Sequence, residues 1–222
     1  MWCIPKLTPE FKERMEDILD IYAKPYAESA PVICLDEKSK QLLADSRPSR
    51  PTAKGKVAIQ DYEYVRKGTG NIFMAVQPLA GKRITQVTKR RTKRDYALFI
   101  ERLIKSYPKA KNIHLVQDNL NTHFLPSLVE AFGLRKAQKL WKKIVPHYTP
   151  KHASWLNMAE IEINALSTQC LDRRLASFDE LNREVVACTE RRNRDKIMIN
   201  WTFSREKAKK KFQILYLNEL SG

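Results

Sequence analysis

A helical stretch held between two short apolar runs, each closing on an acid, does most to restrict how this chain can fold. Residues 93–108, KRDYALFIERLIKSYP, set Tyr96, Phe99, Ile100, Leu103, Ile104 and Tyr107 on one helical face and stop at a proline. NIHLVQD follows at 112–118, rich in β-forming residues and ending on Asp118. A strand reached through a helix can return parallel to one already laid down. PVICLDE at 31–37 is such an earlier strand, and it too ends on an acid, Asp36.

Between these runs, DYEYVRK, a turn at Gly68 and Gly70, NIFMAVQ, a second turn from Pro78 to Gly81, and KRITQVT read as strands joined by short turns. Short turns imply antiparallel pairing, so the expected class is α/β with a mixed sheet. Ahead of it, LTPEFKERMEDILDIYAKP is an amphipathic helix with Thr8 as N-cap and Pro9 at the first helical position. Residues 39–57 are polar, include SRPSRPT and carry no periodic signal, so a loop is expected there. After Asp118, FLPSLVEAFGLRKAQKLW is helical in places and KIVPHYT is a weaker strand. SWLNMAEIEINALSTQCL starts a helix with Ser154 as N-cap, and SFDELNREVVACTERRNR carries a capping box at Ser177 and Glu180. SREKAKKKFQILYL is a basic helix. The organisation expected is a leading helix over 1–30, one undivided domain over 31–200 and a basic C-terminal helix over 201–222.

The chain holds 41 Lys and Arg against 25 Asp and Glu, a formal charge of +16 and a pI near 9.7. Such an excess favours a polyanionic partner, because basic side chains on phosphates release condensed counterions. Nucleic acid is the partner it points to. Cys3, Cys34, Cys170 and Cys188 form no C-x-x-C pair, which suggests neither a zinc ribbon nor a disulfide framework, and reduced core thiols are expected. No apolar run approaches the roughly 18 residues of a membrane span, and the N-terminus has no secretory pattern. A cytoplasmic protein with no membrane partner is expected.

If the strands ending at Asp36 and Asp118 are neighbours in one sheet, their carboxylates emerge side by side. Unpaired carboxylates in such proximity repel and call for a cation, and oxygen ligands suit Mg²⁺ or Mn²⁺ better than zinc. Two such ions clamping an in-line displacement at phosphorus would need a third acid. Glu160 and Glu162 are both candidates. On a helical wheel Glu162 falls among Trp155, Met158, Ala159 and Leu166, whereas Glu160 lies at the border between Leu156 and Ile163. Periodicity leaves the choice open, and the border position favours Glu160 because it reaches a ligand without burying its charge.

The residues DE at 36–37, DNLNTH at 118–123 and HYTPKHASWLNMAEIE at 147–162 resemble the three ordered motifs of the IS630 family of insertion-sequence transposases. That family is related to the Tc1/mariner group within the DDE superfamily, and the resemblance runs through the WTFSREKAKKKF tail. It implies an RNase H-like fold, a mixed five-stranded sheet flanked by helices. It makes Glu160 the third ligand beside Asp36 and Asp118, with Met158 and Ala159 standing where relatives commonly have Pro and Ile. It further implies hydrolysis at transposon ends with two Mg²⁺ ions, transfer of the freed 3′-hydroxyl into target DNA at TA, and a working assembly of at least a dimer on the nucleoid. Family members carry helix-turn-helix modules ahead of the catalytic domain, and the residues before Pro31 are too few to hold one, so the chain is expected to be the catalytic half. A truncated regulatory fragment and an RNase H-like nuclease outside transposition are the alternative readings.

Around the acids, Asn119 and His123 either orient Asp118, a water or a phosphate, or serve turn chemistry alone. Glu37 and Glu162 are expected to be surface or supporting acids, and His114 a packed residue. Lys151 is a candidate phosphate contact with a solvated lysine as the plain alternative. KRRTKRD at 89–95 concentrates Arg90, Arg91, Lys93 and Arg94 where a helix begins, which opposes the helix dipole and would be relieved by bound DNA backbone.

Overall fold

A computed structural model describes residues 7–47, 54–55, 57 and 62–213. Cys3 and the start of the leading segment, most of the SRPSRPT stretch, and the last part of the expected C-terminal helix lie outside the described residues.

The described elements run α1 (Pro9–Tyr22), β1 (Val32–Asp45), β2 (Tyr64–Gln77), β3 (Lys82–Thr88), α2 (Lys93–Lys105), β4 (Ile113–Gln117), α3 (Leu125–Phe132), α4 (Leu134–Trp141), β5 (Ile144–Tyr148), α5 (Ala159–Gln169), α6 (Phe178–Arg194) and α7 (Arg205–Lys211). The strands form one five-stranded sheet in the order β3-β2-β1-β4-β5. β1, β2 and β3 pair antiparallel, while β4 runs parallel to β1 and β5 parallel to β4. This is the mixed sheet expected from a strand reached through a helix.

Alternation along the strands sends side chains to opposite faces, and each face has its own helices. Ile33, Leu35, Phe73, Ala75 and Leu115 pack beneath Tyr96, Phe99, Ile100 and Leu103 of α2, joined by Leu128 of α3 and Ala137 of α4. On the other face Cys34, Val76 and Val116 meet Phe11, Met15, Ile18 and Leu19 of α1, with Leu156 and Ala159 beside them. Ile72 and Met74 meet Ile163 and Leu166 of α5 and Leu181, Val185 and Cys188 of α6. Burial is the main stabilising term here, at about 25 cal/mol per Å² of apolar surface removed from water.

Local signals explain the helix ends. Thr8 accepts from Phe11 N, Thr92 and Asp95 form a reciprocal capping box, and Ser177 accepts from Glu180 N. Among the described residues no helix is long and apolar enough to cross a membrane.

Three expectations are corrected. Residues 39–45 are strand, not loop, because β1 continues through them in register with β2 past a shift between Gln41 and Leu43. Gly68 and Gly70 do not turn the chain; both lie inside the single strand β2. Gly68 holds φ +102, and a Cβ on Gly70 would stand 2.3 Å from Leu181 Cδ2, so the glycines permit backbone conformation and close helix approach. Ser154 does not cap α5. It opens a single 3₁₀ turn, Ser154–Leu156, and α5 begins at Ala159.

Candidate active site

The parallel pairing of β1 and β4 aligns Val32 with His114, Ile33 with Leu115 and Cys34 with Val116. Carried forward two residues, that register sets Asp36 level with Asp118, on strands about 4.8 Å apart. Beyond Gln117 the chain leaves the sheet, so Asp118 stands at its carboxyl edge, while β1 continues only against β2. The two acids that close apolar runs in the sequence are therefore neighbours.

Glu160 arrives through Asn157. The Asn157 side chain is buried and donates from Nδ2 to the Leu35 carbonyl at 2.7 Å, one residue before Asp36. Its Oδ1 accepts from Ala159 N at 3.1 Å, and its carbonyl accepts from Glu160 N at 3.0 Å. One side chain thus ties the first turn of α5 to the strand that carries Asp36. Glu160 is exposed there, as its border position on the wheel implies.

Burial raises the Asp36 carboxyl to about 7; the Glu37 N–H at 2.7 Å pulls it down, and the carboxylates of Glu160, Asp118 and Glu37 push it up. Asp36 therefore feels both other motif acids.

His123 is buried against this group, its ring stacked on Tyr96 at 4.6 Å between centroids. Nδ1 lies 2.6 Å from Asp118 Oδ1 and Nε2 lies 3.0 Å from Glu37 Oε1. Burial lowers the imidazole pKa, but the two carboxylates outweigh it and hold it up at about 9. The backbone is braced as well, since Gln117 Nε2 and Tyr148 Oη both donate to the His123 carbonyl at 3.1 Å. Asn119 is exposed beside Asp118.

Glu37 is a buried partner here rather than a surface acid: its Oε2 also faces Arg91 Nε at 3.2 Å. Glu162 is likewise buried, clamped by Arg83 at 2.6 and 2.8 Å and by Arg192 at 2.9 and 3.0 Å. It supports α5 from behind and does not face the other acids' edge. No local sequence signal marks these two, because the partners that bury them, His123, Arg83 and Arg192, lie far off along the chain. His114, expected to be packed, hydrogen-bonds His147 at 3.0 Å.

Lys151 lines a cavity of about 880 Å³ with Arg14, Asp118, Asn119, Thr149 and His152. His152 there has φ +61, a left-handed conformation costly for a non-glycine residue. Of the basic run, Arg90 and Arg94 are exposed, Arg91 pairs with Glu37, and Lys93 turns to Glu130 at 3.1 Å. Asp95 in the capping box offsets part of the cationic penalty at the start of α2.

The donor set is all carboxylate oxygen at one sheet edge, which suits a hard divalent cation. Among the described residues no three metal-ligating side chains converge on one point as they stand. Asp118 is drawn toward His123 and Asp36 toward its own strand. The residues fit the ion in chemistry and neighbourhood, with Asp36 and Asp118 held by protein contacts and Glu160 exposed.

Residues 31–182 match the family model described as DDE superfamily endonuclease. The chain belongs to that family. No curated protein sequence matches it significantly. Among solved structures, the Mos1 strand transfer complex aligns at TM-score 0.58 and 13% identity over 99% of this chain and 64% of that one. The Mos1 mariner paired end complex with Mn aligns at 0.54 and 16% over 89% and 62%, and the catalytic domain of Mos1 mariner transposase at 0.56 and 11% over 85% of each. At these identities the likeness establishes the fold, the RNase H-like arrangement of the DDE endonucleases. The chain spans about three fifths of the length of the Mos1 chains in the complexes.

Proposed function

We propose that this DDE endonuclease is the catalytic domain of a transposase of the IS630 type, which cleaves DNA at transposon ends and joins the freed 3′-hydroxyl to target DNA. The single observation that carries the reading is the β1–β4 register: it brings Asp36 level with Asp118, while Asn157 delivers Glu160 to the same edge. The match to the DDE family and the likeness to Mos1 complexes support it. The IS630 assignment rests on the motif resemblance at 36–37, 118–123 and 147–162. Arrangement as a 31–200 catalytic unit, assembly as a dimer and residence on the nucleoid belong to the same proposal.

Asp36, Asp118 and Glu160 would hold two Mg²⁺ or Mn²⁺ ions. When bound, such ions activate the attacking oxygen and stabilise the leaving oxygen of an in-line displacement at phosphorus. The chain's own residues prepare that site. His123 is braced by Tyr96, Gln117 and Tyr148, and it fixes where the Asp118 carboxylate lies. Glu37 takes the other imidazole nitrogen, which keeps His123 from turning away. Lys151 in the adjoining cavity, with Arg90 and Arg94 at the start of α2, would take the phosphates of the bound strand, and Asn119 would orient a water or phosphate beside Asp118.

Nicking of duplex DNA bearing the element's ends, with and without Mg²⁺, tests the reading. Asp118→Asn should abolish nicking while the thermal melt and DNA affinity stay as in the parent. Nicking that survives this substitution, or that proceeds equally in a chelator, would sink the assignment.

A further inference from the structure

No Asp or Glu occurs between Glu130 and Glu160, a stretch that holds Arg135, Lys136, Lys139, Lys142, Lys143 and Lys151. Lys151 belongs to the cavity beside Asp118, and Lys136 is taken by Glu101 of α2 at 2.9 Å. The others lie on α4 and just after it. Arg135, Lys139 and Lys142 are spaced i, i+4, i+7 and share one exposed face, while Ala137, Leu140 and Trp141 turn to the core on the other side. At 1.5 Å per residue the stripe is about 10 Å long. None of the three has a carboxylate partner among the described residues. The helix dipole favours Lys139 and Lys142 near the C-terminus, but it opposes Arg135 in the first turn, and like charges four residues apart repel. An external anion would offset both penalties. The stripe stands apart from the acids. α4 leads into β5, which starts level with β4: Ile113 pairs with Ile144, and Ile113 N donates to Lys143 O at 2.7 Å. Lys142, Lys143 and the exposed Lys111 are therefore at the amino end of these parallel strands, whereas Asp118 emerges at the carboxyl end, about 16 Å away for five residues at roughly 3.3 Å each.

We propose that Arg135, Lys139 and Lys142, with Lys111 at the same end of the sheet, form a second nucleic-acid surface, which holds the phosphate backbone of duplex DNA away from the acids. Charge and shape together select the duplex. Cations on a rigid helix face about 10 Å long match about three phosphates of one strand, at roughly 3.4 Å of duplex axis per charge. Single strands are gripped by stacking their bases on aromatic side chains, and Trp141, the one aromatic residue of α4, is packed against the core. Contacts of this kind go to phosphate alone and carry no sequence information, so the surface should take any duplex. The inference goes beyond the reaction proposed for the acids and does not rest on it.

The test uses the whole chain and a short fluorescent duplex of arbitrary sequence, titrated at several salt concentrations. Arg135→Ala, Lys139→Ala and Lys142→Ala together should lower the slope of log K against log salt by about 2.7, three times the roughly 0.9 released per phosphate contact. Alanine suits a helix, and an unchanged melting temperature shows that the fold is kept. A second measurement needs no variant: lysines of the parent are acetylated with and without duplex and mapped by mass spectrometry. Lys111, Lys139 and Lys142 should be protected by the duplex, and not by a single strand of equal length or by anionic lipid vesicles. A parental salt slope in the triple variant, equal acetylation of these lysines in the complex, or protection by the single strand or the vesicles in place of the duplex would overturn the proposal. Nicking enters neither measurement, so failure of the reaction assigned to the acids and failure of this surface are told apart.

Discussion

The Asn157 amide joins two elements with one side chain, donating to Leu35 O and accepting from Ala159 N inside the protein. Asn157→Ala leaves a buried strand carbonyl without its donor, and about 1–3 kcal/mol of stability should be lost in urea unfolding. Metal-dependent nicking should fall further than the stability loss alone explains, because Glu160 would no longer be tied to the strand of Asp36. A variant that loses stability but nicks normally would show that Asn157 only caps the helix. Glu162 gives the sharper residue-scale case. Burial raises its carboxyl, but the hydrogen bonds and charges of Arg83 and Arg192 outweigh that and hold it below the usual 4.5. A depressed carboxyl contributes stability above its unfolded value and loses it as pH falls through the lower folded value. Unfolding free energy should therefore drop with pH below about 4.5. Glu162→Gln should remove that part of the slope and destabilise at neutral pH by about 3–5 kcal/mol, since two arginines keep a buried site without their counter-charge. Urea titrations from neutral to acid pH check both statements, and an unchanged acid slope in the variant would contradict them.

At the scale of elements, Gly70 lies where α6 comes down on β2. Gly70→Ala would push a methyl into Leu181, itself buried with Phe178 close by, and overpacking of that kind costs about 1–3 kcal/mol. Combined with Leu181→Ala, the cost should be less than the sum of the two single changes, which a double-mutant cycle in urea measures. The same glycine shows why a turn was the wrong expectation at 68–70. A glycine reads alike whether it turns the chain or lets a helix approach, and only the partner, more than a hundred positions away, separates the two. Residues 39–45 were unreadable for a related reason: their pairing with β2 is made by backbone groups, which polar side chains do not reveal. α2 and β4 were legible because a six-residue apolar face and a compact β-forming run are local signals. Asp36 and Asp118 were legible because each closes such a run. Glu37 and Glu162 were not, since His123, Arg83 and Arg192 lie 86, 79 and 30 positions from them, and nothing local distinguishes a clamped buried acid from a solvated one.

Over the whole molecule the +16 charge divides into cations held by internal partners and cations left to an external polyanion. Arg83 and Arg192 neutralise Glu162, Arg91 faces Glu37, and Lys93 faces Glu130. Arg90 and Arg94 have no carboxylate partner among the described residues, and both are exposed where α2 begins. If DNA runs past the acids along this edge, these two carry the phosphate contacts and their basic neighbours do not. Arg90→Ala with Arg94→Ala should then weaken duplex binding for every sequence and reduce the slope of log K against log salt by about 1.8, twice the roughly 0.9 released per phosphate contact. Arg91→Ala with Lys93→Ala should leave that slope nearly unchanged and instead release Glu37, disturbing His123 and the Asp118 carboxylate it holds. Fluorescence titrations at several salt concentrations separate the pairs. Equal slopes for the Arg90/Arg94 variant and the parent would return this end of α2 to ordinary solvated surface, and a large slope change in the Arg91/Lys93 variant would mean that DNA competes with Glu37 for Arg91.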